Sequence, residues 1–116
     1  MKAIKITAMG PMANSKVEQV EVNGYQETVD HLGGSLEGLT LSDDASAYVD
    51  EEGKIKELAY NRTATKLCTR LETGLASSDF ICGTMLIFGA PDSEGDETDV
   101  PDRILSEIKA IHVESN

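Results

Sequence analysis

From Phe80 to Phe88 the chain reads Phe-Ile-Cys-Gly-Thr-Met-Leu-Ile-Phe, and no other stretch constrains the fold as tightly. A strand with one wet face alternates apolar and polar residues, whereas a nearly unbroken apolar run fits a strand covered on both faces. Gly83 inside the run predicts a bulge or the close approach of another backbone.

The residues before it supply its neighbours. Lys2 to Ala8 puts Ile4, Ile6 and Ala8 on one face and reads as a strand that Gly10-Pro11 breaks. Lys16 to Val22 reads as a second strand pairing back on the first, closed by Asn23-Gly24. Tyr25 to Leu32 predicts a short helix with Tyr25, Val29 and Leu32 on its inner side, ended by Gly33 in the left-handed conformation. Ser35–Leu41, Ala45–Val49 and Lys54–Leu58 follow as strands of a meander, with Gly53 expected to supply a positive φ in the turn after Asp50-Glu51-Glu52. A helix from Arg62 to Leu71, stopped by Gly74, buries Ala64, Leu67, Cys68 and Leu71 at helical spacing. A last helix over 101–112 buries Ile104, Leu105, Ile108 and Ile111, with Asp99 or Asp102 near its positive end. The expected architecture is α+β: one domain over residues 1–116, about six mostly antiparallel strands, two to three helices, and an acidic loop at 91–101.

A chain of 116 residues with 40% apolar side chains can build a core, burying roughly two thirds of the surface its unfolded form exposes. Without tryptophan, and with only Phe80, Phe88, Tyr25, Tyr48 and Tyr60 aromatic, that core is aliphatic. A stacking platform for single-stranded nucleic acid is disfavoured, because it needs several exposed rings. The net charge of −11 also disfavours direct nucleic-acid or anionic-membrane binding. It permits a basic protein partner or imitation of a phosphate backbone, and it equally serves solubility alone. Met1-Lys2-Ala3-Ile4-Lys5-Ile6 has no apolar signal core, and no run is long enough to span a bilayer, so a cytoplasmic protein is expected. Cys68 and Cys82 are then expected to be free thiols.

The helix that begins at Arg62 is the one whose exposed face is positive. Arg62, Lys66 and Arg70 recur every four residues, and Asn61 is placed to cap the start. A helix mouth offers unpaired N–H groups and a positive dipole end, so it can receive a phosphate or carboxylate. Arg62 would add a two-pronged contact, Thr63 and Thr65 hydroxyls, Lys66 and Arg70 longer-range attraction, and Tyr60 a ring to stack on a base. The plainer alternative leaves Asn61 as a cap only, with Arg62 and its neighbours paired to local acids such as Asp50 or Glu57.

Other chemistry finds little support. Ser35 is not in a Gly-x-Ser-x-Gly elbow, and His31 and His112 fall near helix ends, where they commonly meet the last carbonyls. No catalytic constellation emerges. His31, Cys68, Cys82 and His112 lack zinc-ligand spacing. The loop from Asp92 has Glu97 where a calcium loop needs its glycine and Arg103 where it needs the closing glutamate. No phosphate-binding glycine motif occurs, and no cofactor is implied. The acidic residues Asp92, Glu94, Asp96, Glu97, Asp99 and Asp102 form either a phosphate-mimicking strip or a solvated loop.

Gly33-Gly34, the turn Val49-Asp50-Glu51-Glu52-Gly53-Lys54, Asn61-Arg62 and Asp79-Phe80-Ile81-Cys82-Gly83-Thr84 leading to Gly89 together resemble domain of unknown function 3846. This is a small-domain family of bacteriophages and mobile elements, and the resemblance runs from about Lys2 to Ala90. It implies a viral or mobile-element origin and an accessory role, with no established chemistry. Family members often carry a proline shortly before the Asn-Arg pair, where this chain has Ala59-Tyr60.

Two functional expectations follow. One is capture, without turnover, of a small anionic ligand of nucleotide type, such as an immune signal of the host, at Tyr60, Asn61, Arg62, Thr63, Thr65, Lys66 and Arg70. A homo-oligomer would enclose more of such a ligand. The other is an acidic inhibitor that binds a basic host nucleic-acid enzyme through the 92–102 carboxylates.

Overall fold

The apolar run does supply the middle of the sheet. In the computed structural model, which describes residues 1–73 and 79–114, strand β5 (Met85–Gly89) is buried at every position. It lies between β1 (Lys2–Thr7) and β4 (Ala45–Asp50), antiparallel to both. Outside them run β2 (Lys16–Glu21) and β3 (Leu36–Ser42), giving five antiparallel strands in the order β2-β1-β5-β4-β3. Among the described residues three helices complete the α+β domain: α1 (Gly24–Leu32), α2 (Arg62–Arg70) and α3 (Asp102–Glu114).

Side chains alternate across a strand, so each strand feeds two cores. Ile4, Ile6, Ala47, Val49, Met85 and Ile87 point to the face covered by α2 and α3, where they meet Ala64, Leu67, Cys68, Ile104, Ile108 and Ile111. Ala3, Leu86 and Phe88 point to the other face and meet Leu32 of α1. Each fully buried isoleucine contributes roughly 1.5–3 kcal/mol relative to exposure. Among the described residues no helix is long and apolar enough to cross a membrane, and Cys68 and Cys82 are free thiols.

Several local expectations are corrected. Lys54–Leu58 is not a strand, so the sheet has five strands and the second hairpin is absent. Residues 51–57 wind through successive turns instead: the Lys56 amide donates to the Glu52 carbonyl, Glu57 to Lys54 and Leu58 to Gly53. The Asp50 carboxylate starts that winding by accepting the Glu52 amide at 2.8 Å. Ile55, inside the span expected to be a strand, is 82% exposed. Nor is the order a simple meander, because β5 lies beside its sequence neighbour β4 but also pairs with β1, the first strand, and so joins the two hairpins.

Gly53 does not take a positive φ. A Cβ there would lie 2.7 Å from the Cys82 carbonyl oxygen, so close backbone approach is what requires glycine. The apolar run itself is divided. Gly83, at φ +85° and packed under Leu58, separates β5 from an extended piece in which only Cys82 bridges, to Tyr60. Tyr25 is 70% exposed rather than buried, and Thr28 with Leu32 forms the inner side of α1. Gly33 ends α1 at φ 79°, as the glycine pair predicts. Gly74, expected to end α2, lies outside the described residues.

Candidate functional site

The mouth of α2 is where the sequence places its binding site, and the structure encloses it. Asn61 is fully buried, and its side chain uses every hydrogen-bonding position it has. Its Oδ1 accepts from the Ala64 amide at 3.0 Å and from Ser15 Oγ at 2.6 Å, while its Nδ2 donates to the carbonyls of Ile6 at 2.9 Å and Gly83 at 2.8 Å. The cap expected of Asn61 is present, and the same side chain ties α2 to β1 and to the entry of β5.

Ser15 closes the mouth from the other side. Its Oγ accepts the Thr63 amide at 3.2 Å, and its own amide donates to Thr63 Oγ1 at 3.0 Å. Thr63 is fully buried, with its Oγ1 also 2.9 Å from His112 Nε2 of α3. Burial pushes the His112 pKa down, which leaves a neutral ring able to accept the threonine hydroxyl. Thr65 Oγ1 donates to the Asn61 carbonyl at 2.8 Å and accepts the Ile81 amide at 2.9 Å. The amides of Thr63, Ala64 and Thr65 and the hydroxyls of Thr63 and Thr65 therefore bond within the protein itself, and Asn61, Thr63 and Thr65 act as structural links.

The basic residues divide. Arg70 pairs with Glu107 through Nε and reaches Glu114 from Nη1 at 3.0 and 3.1 Å, so the carboxylates of α3 neutralise that end of the strip. The Glu107 and Glu114 hydrogen bonds raise the Arg70 pKa. Lys66 and Arg70 line a shallow cleft of about 490 Å³ with Thr65, Thr69, Ile111 and Glu114. Arg62 differs: it is half-buried, and among the described residues no carboxylate pairs with it. The local acids proposed for it are not its partners. Asp50 bonds Lys56 at 2.8 Å instead. Burial pushes the Asp50 carboxyl up, but the Lys56 hydrogen bond and the Glu52 amide outweigh it and hold the group below its ordinary range. Tyr60, assigned to stack on a base, lies against the Phe80 ring at 5.7 Å.

A second cleft escaped the sequence reading. The turn after β4 and the piece before β5 enclose about 350 Å³, lined by Glu37, Leu39, Lys54, Ile55, Phe80 and Cys82 among others. Lys54 pairs with Asp79 and stands 4.7 Å above the Phe80 ring. Much of its wall comes from two of the segments that carried the family resemblance, within Val49–Lys54 and Asp79–Thr84. Their recurrence in one resemblance was the available signal. Burial raises the Cys82 thiol pKa despite the nearby Lys54 charge, which makes it a poor nucleophile at neutral pH.

The acidic loop is fastened rather than simply solvated. Asp92 Oδ1 accepts the amides of Glu94 at 2.9 Å and Asp96 at 3.0 Å, while the Gly89 amide donates to the Thr98 carbonyl at 2.9 Å. Asp99 Oδ1 accepts the Lys2 amide at 2.7 Å, and Asp102 pairs with Lys2 Nζ at 3.1 Å. Three acids thus shape the segment. Glu94, Asp96 and Glu97 remain, with Glu94 and Asp96 exposed and Glu97 half-buried beside Tyr48.

Among the described residues no group of three histidine, cysteine, aspartate or glutamate side chains is placed to hold a metal ion. Comparison with curated proteins and with solved structures gives no significant match. One comparison does succeed, and it covers the whole sheet, α1, α2 and all but the last two residues of α3. The family model described as domain of unknown function (DUF3846) matches residues 1–112, and the chain belongs to that family.

Proposed function

We propose that this protein is a non-catalytic accessory protein that binds a basic surface on a host nucleic-acid enzyme through its acidic loop. The observation that carries the reading is the fastening of that loop. Asp92 and Asp99 accept backbone amides and Asp102 pairs with the Lys2 side chain at the loop's end, which favours presentation of Glu94, Asp96 and Glu97 at set positions. Carboxylates held in position lose little conformational freedom on docking, which favours affinity. The surplus of 21 acids over 10 cations adds long-range steering toward a basic partner. Interference with host defence in the bacterial cytoplasm belongs to this proposal and draws on the phage setting that the resemblance implies.

The test is salt-dependent capture of basic proteins from a bacterial extract, followed by DNA-binding or nuclease assays of whatever is captured. Glu94→Gln/Asp96→Asn/Glu97→Gln, which leaves the three fastening acids alone, should lose both capture and inhibition. Retention of inhibition by that variant would refute the reading.

A second reading, capture of a small nucleotide-like anion without turnover, keeps one specific support: the half-buried Arg62 guanidinium, which pairs with no carboxylate among the described residues. It requires a thermal upshift with some member of a nucleotide panel, lost in Arg62→Ala. A flat response across the panel removes it.

A further inference from the structure

On the sheet face opposite α2 and α3, the start of α1 and the acidic loop stand on either side of Tyr48. Between them is a cleft of about 500 Å³ whose walls include Tyr25, Thr28, Leu36, Tyr48, Asp96 and Glu97. Two of these residues are aromatic and two are acidic. The Tyr48 ring is set edge-on against Phe88, centroids 6.0 Å apart at 72°, so it forms a fixed floor. Tyr25 is 70% exposed; an aromatic ring in the first turn of a helix, outside the core, is available to a guest. Burial, and then the Glu97 carboxylate that its hydroxyl meets, push the Tyr48 pKa up. Among the described residues no lysine or arginine pairs with Asp96 or Glu97.

We infer that this cleft is a subsite for an arginine side chain presented by a basic partner. A guanidinium is flat enough to lie on a tyrosine face, and its edge carries the donors that a carboxylate accepts in pairs. An ammonium can meet the carboxylates, but it lacks the planar face. Leu36 and the methyl of Thr28 offer apolar surface to the arginine stem. The positive end of α1 opposes a cation with about half a unit charge, against two full negative charges across the cleft. The inference rests on the protein-binding reading above and names the side chain that such a partner must present.

The experiment is an NMR titration of isotope-labelled protein with N-acetyl-arginine methylamide, alongside the lysine and citrulline counterparts. The expected result is saturable shifts at Gly24, Tyr25, Tyr48 and Gly95 with arginine, weaker ones with lysine and none with citrulline. Tyr25→Ala, at an exposed position, should weaken arginine binding roughly threefold. Asp96→Asn, whose side chain makes no hydrogen bond within the described structure, should weaken it as well. Absence of saturation, an equal response to neutral citrulline, or shifts spread evenly over the other surface acids would overturn the subsite. The two readings separate cleanly. Should the triple amide variant lose its partner while the arginine probe never saturates, the subsite alone falls. Should the probe occupy the cleft while that variant keeps its partner, the subsite stands and the wider reading falls.

Discussion

Replacing Asn61 with alanine tests whether the helix mouth is a structural junction or a vacant site. The substitution removes four hydrogen bonds at once. Losing the N-cap to the Ala64 amide costs about 1 kcal/mol. The carbonyls of Ile6 and Gly83 lose their bonds from Nδ2, and Ser15 Oγ loses its acceptor, at a site buried from solvent. Each buried polar group left unsatisfied costs roughly 1–3 kcal/mol, and a partial relaxation of the three brings the total to about 4 kcal/mol. That is a large share of the ~5–15 kcal/mol that stabilises an ordinary domain. At roughly 4 °C per kcal/mol for a domain of this size, melting should fall by ~15 °C. Urea unfolding followed by circular dichroism, with the slope checked for constancy, measures the loss directly. Arg62→Ala, one residue away but half-buried and without a carboxylate partner among the described residues, should leave the midpoint within replicate scatter. If Asn61→Ala costs less than ~1 kcal/mol, the junction described here is wrong.

Three further outcomes are expected. Because burial pushes the His112 pKa below 6.5, the unfolded chain binds that proton more readily. Stability contributed by this group is therefore full above the unfolded value and declines as pH falls below it; His112→Gln should flatten urea midpoints across that window. Gly53→Ala would drive a methyl to 2.7 Å from the Cys82 carbonyl and 3.3 Å from the Asp50 carbonyl. Backbone cannot yield as a side chain does, so a loss of about 2 kcal/mol is expected in the same urea assay; an unchanged midpoint would show that the approach is not tight. With a thiol reagent, half-buried Cys82 should react first, and slowly because its pKa is raised. Cys68, buried in the core with its pKa also raised, should react only on unfolding. Equal rates in the folded protein would contradict that ordering.

The acidic surface gains its meaning from the distribution of partners, not from the net charge. Arg103 bonds Asp44 and Ser42, Arg70 bonds two acids of α3, and Lys2 bonds Asp102. These three cations are used locally, where they fasten loops and helices. Among the described residues the carboxylates of Glu94 and Asp96 are left outward, and Glu97 is turned toward Tyr48.

Local periodicity carries most of what the chain alone reveals. The buried stripe Ala64, Leu67 and Cys68, the isoleucines of α3, the left-handed end of α1 at Gly33 and the hairpins β1–β2 and β3–β4 depend on residues within a turn or a few positions of one another, so they are legible in order along the chain. The turns at 51–57 were not, because Asp50-Glu51-Glu52-Gly53 reads as a hairpin turn leading into a further strand, whereas the Asp50 carboxylate bonds the Glu52 amide and winds the chain on itself.

What only the tertiary structure decided lies in pairings across long separations. Asn61 reads as a cap from its neighbours, but its burial depends on Ile6, Ser15 and Gly83, brought to it by the sheet. Arg70 reads as a free cation until α3 lays Glu107 and Glu114 beside it. The cleft at Tyr25 and Tyr48 exists only because the acidic loop folds back over the α1 face. Hydrogen bonds and charges act over a few ångströms of space, whatever the distance along the chain. A sequence therefore states which groups are available, and the packed chain determines which remain unused.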